Sequence, residues 1–268
     1  MTLYIQKENE ELIDTSELIT LQRFQPSAPT RIPIFQEIDG RRGSLPASNA
    51  LTTRTINVEF YFKARDNADF VLRRDELHSL FDSEEPFYII DSRQPFKRWR
   101  VNIESWDFED VALISKHTIT FTAMDGMCES TGSTLTPLTF DSESWGIGQH
   151  LLAEDQMYTF TGDRFRVYNA GDIEVDPREK PMTITFKGAS ENLSIRNVTL
   201  GQSWKYYGTS DSHDTIKLDR VFFKKNDKSI FNDTNRMSLK LVKGWNEFTV
   251  SGATSTFEIA FDFRFYYL

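Results

Sequence analysis

Four histidines, His78, His117, His150 and His213, are the side chains of this sequence best suited to acid–base or metal chemistry, and their spacing supports neither. No two lie at i, i+4, and no HExxH run sets two imidazoles and a general base on one helix face. A hydrolase serine needs a G-x-S-x-G elbow, and none occurs. Phosphate-cradling glycine patterns are absent too, since Gly146 and Gly148 stand alone. Asp211-Ser-His-Asp214 offers oxygen ligands but lacks the Asp/Asn/Gly/Glu spacing of a calcium loop, and it reads as a solvated loop. Cys128 is the only cysteine, which excludes an intrachain disulfide and a multi-thiolate zinc site. It reads as an ordinary buried thiol. Cleaving glycans would need two carboxylates at a defined separation across a cleft, which inventory does not reveal, so that reading stays open as a third class. No catalytic residue, no cofactor-binding residue and no metal ligand is assigned, and the chain reads as a non-enzyme without cofactors.

Binding chemistry has one candidate of its own. Trp204, Tyr206 and Tyr207 lie near a predicted turn, and exposed aromatics on a β-sandwich stack on sugar rings through their apolar faces. The competing reading places the same three in a core or a subunit contact. The formal charge of -9 argues against a general nucleic-acid binder, because phosphate contacts need clustered Lys and Arg. The charge is unevenly spread: residues 1–135 carry 15 basic and 22 acidic side chains, residues 136–268 carry 16 and 18. The first residues lack the basic start and apolar run of a secretory signal, so synthesis in the cytoplasm is expected. No apolar stretch approaches the roughly 20 residues of a membrane span, and no membrane insertion is expected.

The elements that must position these groups are mostly strands. Ile56, Val58, Phe60 and Phe62 alternate at period two, as do Ile119, Phe121 and Ala123. Between them residues 66–81 switch to helical spacing, with Phe70, Leu77, Leu80 and Phe81 on one side, Asp66 as N-cap and Pro86 stopping any continuation. The second half is predicted as short strands at 165–168, 182–186, 193–195 and 245–250. It closes on a long alternation at 256–267, expected inside a sheet, since an exposed edge of that kind would aggregate. Such spacing predicts an antiparallel β-sandwich. The small, polar run Glu129-Ser-Thr-Gly-Ser-Thr-Leu-Thr-Pro137 reads as a linker, which sets domains at 1–135 and 136–268.

Several segments, in order and spacing, resemble the siphophage distal tail protein (Dit) family of siphovirus tail components. They are the turn Asp39-Gly-Arg-Arg-Gly43, the strand that starts at Arg54, Leu72-Arg-Arg-Asp-Glu-Leu77, Glu85-Pro-Phe-Tyr-Ile-Ile-Asp91 and Pro95-Phe-Lys-Arg-Trp99. In the second half they are Tyr168-Asn-Ala-Gly171 before Pro181, Ile195-Arg-Asn-Val-Thr199 and Gly244-Trp-Asn-Glu-Phe-Thr-Val250. One departure is the basic stretch Lys224-Lys-Asn-Asp-Lys228 after Leu218-Asp-Arg-Val-Phe222. The resemblance implies a mainly β, two-domain structural protein of the virion at the distal end of the phage tail. Its N-terminal belt domain would be a β-sandwich with one α-helix and a projecting β-hairpin, and its C-terminal domain galectin-like. Six copies would form a ring that joins the tail tube protein to the tail-associated hub or lysin protein and offers a surface to a receptor-binding protein. DNA would pass through the ring without specific binding, past the negative charge of the first halves. Gly40, Arg41, Arg42 and Gly43 become candidates for ring assembly, because arginine pairs bidentately with a carboxylate of a neighbour. The plainer reading, a tight turn needing two glycines, stands equally. A carbohydrate-binding adhesin built on the second half is the alternative function.

Overall fold

Alternation at period two runs through both halves of the chain, and it becomes strand wherever one face finds cover. The computed structural model describes residues 1–7, 11–137, 144–146, 149–151 and 156–268, so Gly148 of the glycine pair lies outside the described residues. The chain divides into two compact units, Met1–Glu129 with Leu268, and Ser130–Tyr267. It is mainly β, with one α-helix among the described residues.

The first unit holds β1 (Leu3–Gln6), β2 (Ile13–Asp14), β3 (Thr20–Pro26), β4 (Arg31–Gln36), β5 (Leu45–Leu51), β6 (Arg54–Lys63), α1 (Asn67–Phe81), β7 (Phe87–Asp91), β8 (Lys97–Val111), β9 (Ile114–Ala123) and β10 (Cys128–Ser130). Its main antiparallel path runs β2-β1-β7-β8-β9-β6-β3, while β4 and β5 pair only with each other. On β6 the predicted face is inward: Ile56, Val58, Phe60 and Phe62 are buried, opposite Ile119 and Phe121 of β9. Each such side chain stabilises the fold by about 1.5 to 3 kcal/mol. The helix starts where expected, with the Asp66 carboxylate accepting from the Asp69 backbone N–H at 2.9 Å. It lays Leu77 and Phe81 on the sheet, and the Phe81 ring stacks on Phe60 at 5.8 Å.

Under this helix sits a histidine whose chemistry is structural. His117 is buried on β9, stacks on Phe60 at 5.0 Å and accepts at Nδ1 from the Trp106 indole N–H at 2.9 Å. Accepting at Nδ1 requires the neutral ring. Burial pushes His117 down to about 4, Asp110 opposing and His78 reinforcing the shift. The unfolded chain therefore takes up this proton first, near pH 6.5, and the fold loses stability as pH falls from there toward 4. The loss from this residue is about 3 kcal/mol between pH 7 and 4. Urea unfolding at both pH values should show His117→Phe losing that much less than the unaltered chain; equal slopes would end this assignment.

The second unit holds β11 (Thr159–Phe160), β12 (Arg164–Asn169), β13 (Met182–Lys187), β14 (Ser190–Asn197), β15 (Gln202–Lys205), β16 (Thr209–Ser210), β17 (Thr215–Asp219), β18 (Phe222–Lys225), β19 (Lys228–Ser229), β20 (Gly244–Ala253), β21 (Glu258–Phe263) and β22 (Tyr266–Tyr267). One sheet is ordered β11-β21-β13-β17-β18-β19, the other β12-β20-β14-β15 with β16 beside β14. Phenylalanines join the two: Phe248 of β20 meets Phe261 of β21 at 4.9 Å, and Phe165 of β12 meets the same ring at 5.8 Å. The closing alternation lies inside the sheet, between β11 and β13, but breaks after Phe263. Phe265, Tyr266 and Tyr267 are then buried in succession.

The run read as a linker behaves otherwise. The Ser130 N–H donates to the Phe265 carbonyl at 2.8 Å, the Thr134 N–H to that of Phe263 at 2.9 Å, and the Thr134 hydroxyl to that of Phe261 at 2.6 Å. Small polar residues suit this role as well as they suit a free tether, because a hydroxyl satisfies carbonyls that a second strand leaves open. The division between the two units falls at Glu129/Ser130, at the start of this run.

Candidate assembly interface

The strongest departure from a self-contained globule is the ribbon β4–β5. Every residue of β4 is exposed, and Ile32, Ile34, Phe35 and Ile38 show 46–58% of their surface to solvent. Singly exposed apolar residues are ordinary; four within seven residues on an unsupported ribbon are a contact surface. Pro33 and Pro46 sit on facing strands of this ribbon and cannot donate to a further strand. The ribbon is therefore suited to side-chain contact more than to open-ended strand addition. Its base is held by the Thr52 N–H and hydroxyl, both donating to the Thr30 carbonyl at 3.0 Å. Gly126 lets the chain pass there, since a Cβ would lie 2.1 Å from the Thr52 carbonyl oxygen.

The arginine turn forms the tip of this ribbon. Gly40 and Gly43 have φ of +83° and +79°, and the Arg41 N–H closes the turn on the Ile38 carbonyl at 3.1 Å. Nothing lies within 4 Å of a Cβ built at either glycine, so the backbone angle, and not space, requires them. Arg41 and Arg42 are exposed and make no side-chain hydrogen bond or ion pair among the described residues, although Glu37 and Asp39 are near in sequence.

A second arm of the same unit has the opposite character. The far half of β8 lies at the exposed side of β9, which β6 covers on its other edge, and it shows Phe108 and Val111 to solvent. Glu104, Asp107, Glu109 and Asp110 line it against Lys116 alone. Ala112, at φ +55°, turns the chain at its end. The unit thus presents an apolar ribbon tipped by two exposed arginines and an acidic, apolar stretch of β8.

The other candidate groups fall apart in space. Trp204 is 0% exposed, with its ring edge-on to Phe223 at 5.7 Å, so it offers no face to a sugar. Tyr206 is buried, and a Cβ at Gly208 would lie 2.4 Å from its hydroxyl. Only Tyr207, 60% exposed, stands free to stack. The predicted turn there is real, but the alternating register of β15 sends Trp204 inward. In the Asp211–Asp214 loop both Asp214 oxygens are engaged, by the Asp211 N–H at 2.9 Å and Asn226 at 2.6 Å. Those bonds hold its carboxyl below the usual range. Cys128 is buried.

Residues 11–123 match the family model described as a phage tail protein RIFT-related domain. No curated protein sequence matches the chain. Among solved structures, the chain is similar to SPP1 Dit (gp 19.1), described as a paradigm of the hub adsorption apparatus in Gram-positive infecting phages. The TM-score is 0.71 at 14% identity, covering 99% of this chain and 100% of that one. It is also similar to a chain of the phage P2 baseplate in its activated conformation with Ca, with a TM-score of 0.50 at 8% identity, covering 98% and 97%. Within the first unit, residues 11–123 are thus similar to the phage tail protein RIFT-related domain, and the chain over nearly its whole length shares the fold of SPP1 Dit.

Proposed function

We propose that this chain is a non-enzymatic structural subunit of a siphophage tail tip and that it closes into a homohexameric ring. The observation that carries the reading is the β4–β5 ribbon, whose exposed apolar side chains and unpaired Arg41 and Arg42 have no use within one subunit. A closed ring needs one surface of each copy to meet a different surface of the next. The arginines of the ribbon tip and the acidic β8–β9 hairpin are such a pair: arginine meets carboxylate, while Ile34 and Phe35 meet Phe108 and Val111. The fold shared with SPP1 Dit supports placing the ring between the tail tube protein and a tail-associated hub or lysin protein, with an outer surface for a receptor-binding protein. DNA would traverse its lumen without specific contacts, consistent with the acid excess of the first 135 residues. Light scattering on size-separated full-length protein tests the central statement: a mass six times that of the 31.2 kDa chain supports it. A mass of one chain that persists at high concentration, and in the presence of a tube protein, rejects it.

A further inference from the structure

The outward face of the sheet β12-β20-β14-β15 carries three arginines that the fold leaves without an acidic partner among the described residues. Alternation turns Val167 of β12, Phe248 and Val250 of β20 and Ile195 of β14 inward, which puts Arg164, Arg166, Glu247, Thr249 and Arg196 on the opposite side. The register then sets them in rows. Arg164 and Arg196 are both partners of Thr249, one from each neighbouring strand, and Arg166 faces Glu247. All three arginines are exposed, and none makes a side-chain hydrogen bond or an ion pair among the described residues. The Thr249 hydroxyl is equally unengaged there, and Glu247 forms no ion pair with Arg166.

A groove of about 540 Å³ opens on this face, lined by Arg164, Arg166, Val198, Glu247 and Thr249 together with Phe165 and Phe248. Those two rings stack at 5.8 Å, and Phe248 is buried, which makes the floor rigid. The Arg166 guanidinium lies 4.6 Å from the centre of the Trp245 ring, so it is held in place before any ligand arrives. Two residues along β12 separate Arg164 from Arg166 by roughly 6.6 Å, and two strand spacings separate Arg164 from Arg196 by roughly 10 Å. Planar guanidinium forks and a hydroxyl, all of them donors, thus surround one stretch of β20. A carboxylate offers two oxygens in one plane. A phosphate group offers its oxygens in a tetrahedral array, which matches donors that arrive from different sides.

We infer that this face of the second unit is a phosphate-binding site, with the phosphate seated over Thr249 and accepting from its hydroxyl and from Arg164, and with Arg166 and Arg196 on either flank. The site is complete within one chain and does not depend on ring closure. Free phosphate and a phosphodiester-linked polyol chain carry the same group, and one measurement separates them. The line width of inorganic phosphate in phosphorus NMR reports its binding to the full-length protein in any state of assembly, at constant pH and ionic strength.

Saturable broadening in the millimolar range is the expected result. A short glycerol phosphate oligomer that saturates at least about tenfold lower in phosphate concentration assigns the site to a polymer, because linked contacts raise the effective concentration. Equal saturation assigns it to free phosphate. Arg164→Gln together with Arg166→Gln should weaken binding by at least about tenfold while the melting curve holds, both positions being exposed. Thr249→Val keeps the β-branched shape, loses the hydroxyl and should weaken binding about three- to tenfold. Glu247→Gln removes the lining carboxylate and should tighten it about twofold, a gain that general damage does not produce. Absence of saturable broadening in the unaltered protein overturns the inference, and so does a double arginine variant that broadens phosphate like its parent. Hexaglutamate that displaces phosphate as effectively as the oligomer does at equal charge also overturns it, and makes the face a surface for acidic proteins instead.

Discussion

Reversing the ribbon tip with Arg41→Glu and Arg42→Glu together should leave each subunit folded and take the ring apart. Both side chains are exposed and unpaired among the described residues, so the change in subunit stability should stay within about 0.5 kcal/mol. The turn itself is set by Gly40 and Gly43, which are untouched. Assembly responds differently. In the proposed ring, pairings with Asp107 and Glu109 of the next copy would become like-charge contacts, costing several kcal/mol at each interface. A closed ring repeats that cost at every contact, so the hexamer should vanish by light scattering at concentrations where the parent forms it, while the melting curve of the subunit is unchanged. Reversing the acidic arm as well, with Asp107→Lys and Glu109→Lys, should restore a large part of the assembly, because the signs are then exchanged and not merely lost. A double-arginine variant that assembles like its parent would leave the tip as a tight turn and move the interface elsewhere on the subunit.

Where one face of an element is buried, the sequence shows it. The inward side chains of β6 and β9, the cap at Asp66 and the Phe70, Leu77, Leu80 and Phe81 stripe of α1 were all legible, because burial imposes the period that sequence reading detects. The β4–β5 ribbon was legible only as its tip, Asp39–Gly43. Its strands bury neither face, so Arg31–Gln36 and Leu45–Leu51 show no alternation of polarity, and Pro33 and Pro46 argue against strand by composition. The residues 130–134 misled for a related reason: threonine and serine mark a tether and a hydrogen-bonded seam equally well. Arg54 and His117 did leave a signal. Each stands on the inward parity of its strand, a polar group where the pattern demands an apolar one, and such a break is a usable marker of a buried site.

Trp204→Ala should be the most destabilising single change among the candidate binding residues, and the reason separates the two readings of the second unit. The indole is wholly buried between the sheets against Phe223, which itself stacks on Phe231 at 5.7 Å. Removing it leaves a cavity that strand backbones cannot collapse to fill, and such aromatic truncations cost about 3 to 5 kcal/mol. For a unit of this size the midpoint of thermal unfolding should fall by on the order of 10 °C. Tyr207→Ala, by contrast, removes an exposed ring and should change stability by less than about 0.5 kcal/mol. Sugar recognition through this region would therefore have to run through Tyr207, and a glycan array probed with the Tyr207→Ala protein examines it without disturbing the core. Should Trp204→Ala melt like its parent yet abolish binding to a glycan, the indole faces solvent, and the adhesin reading displaces the core reading at this position.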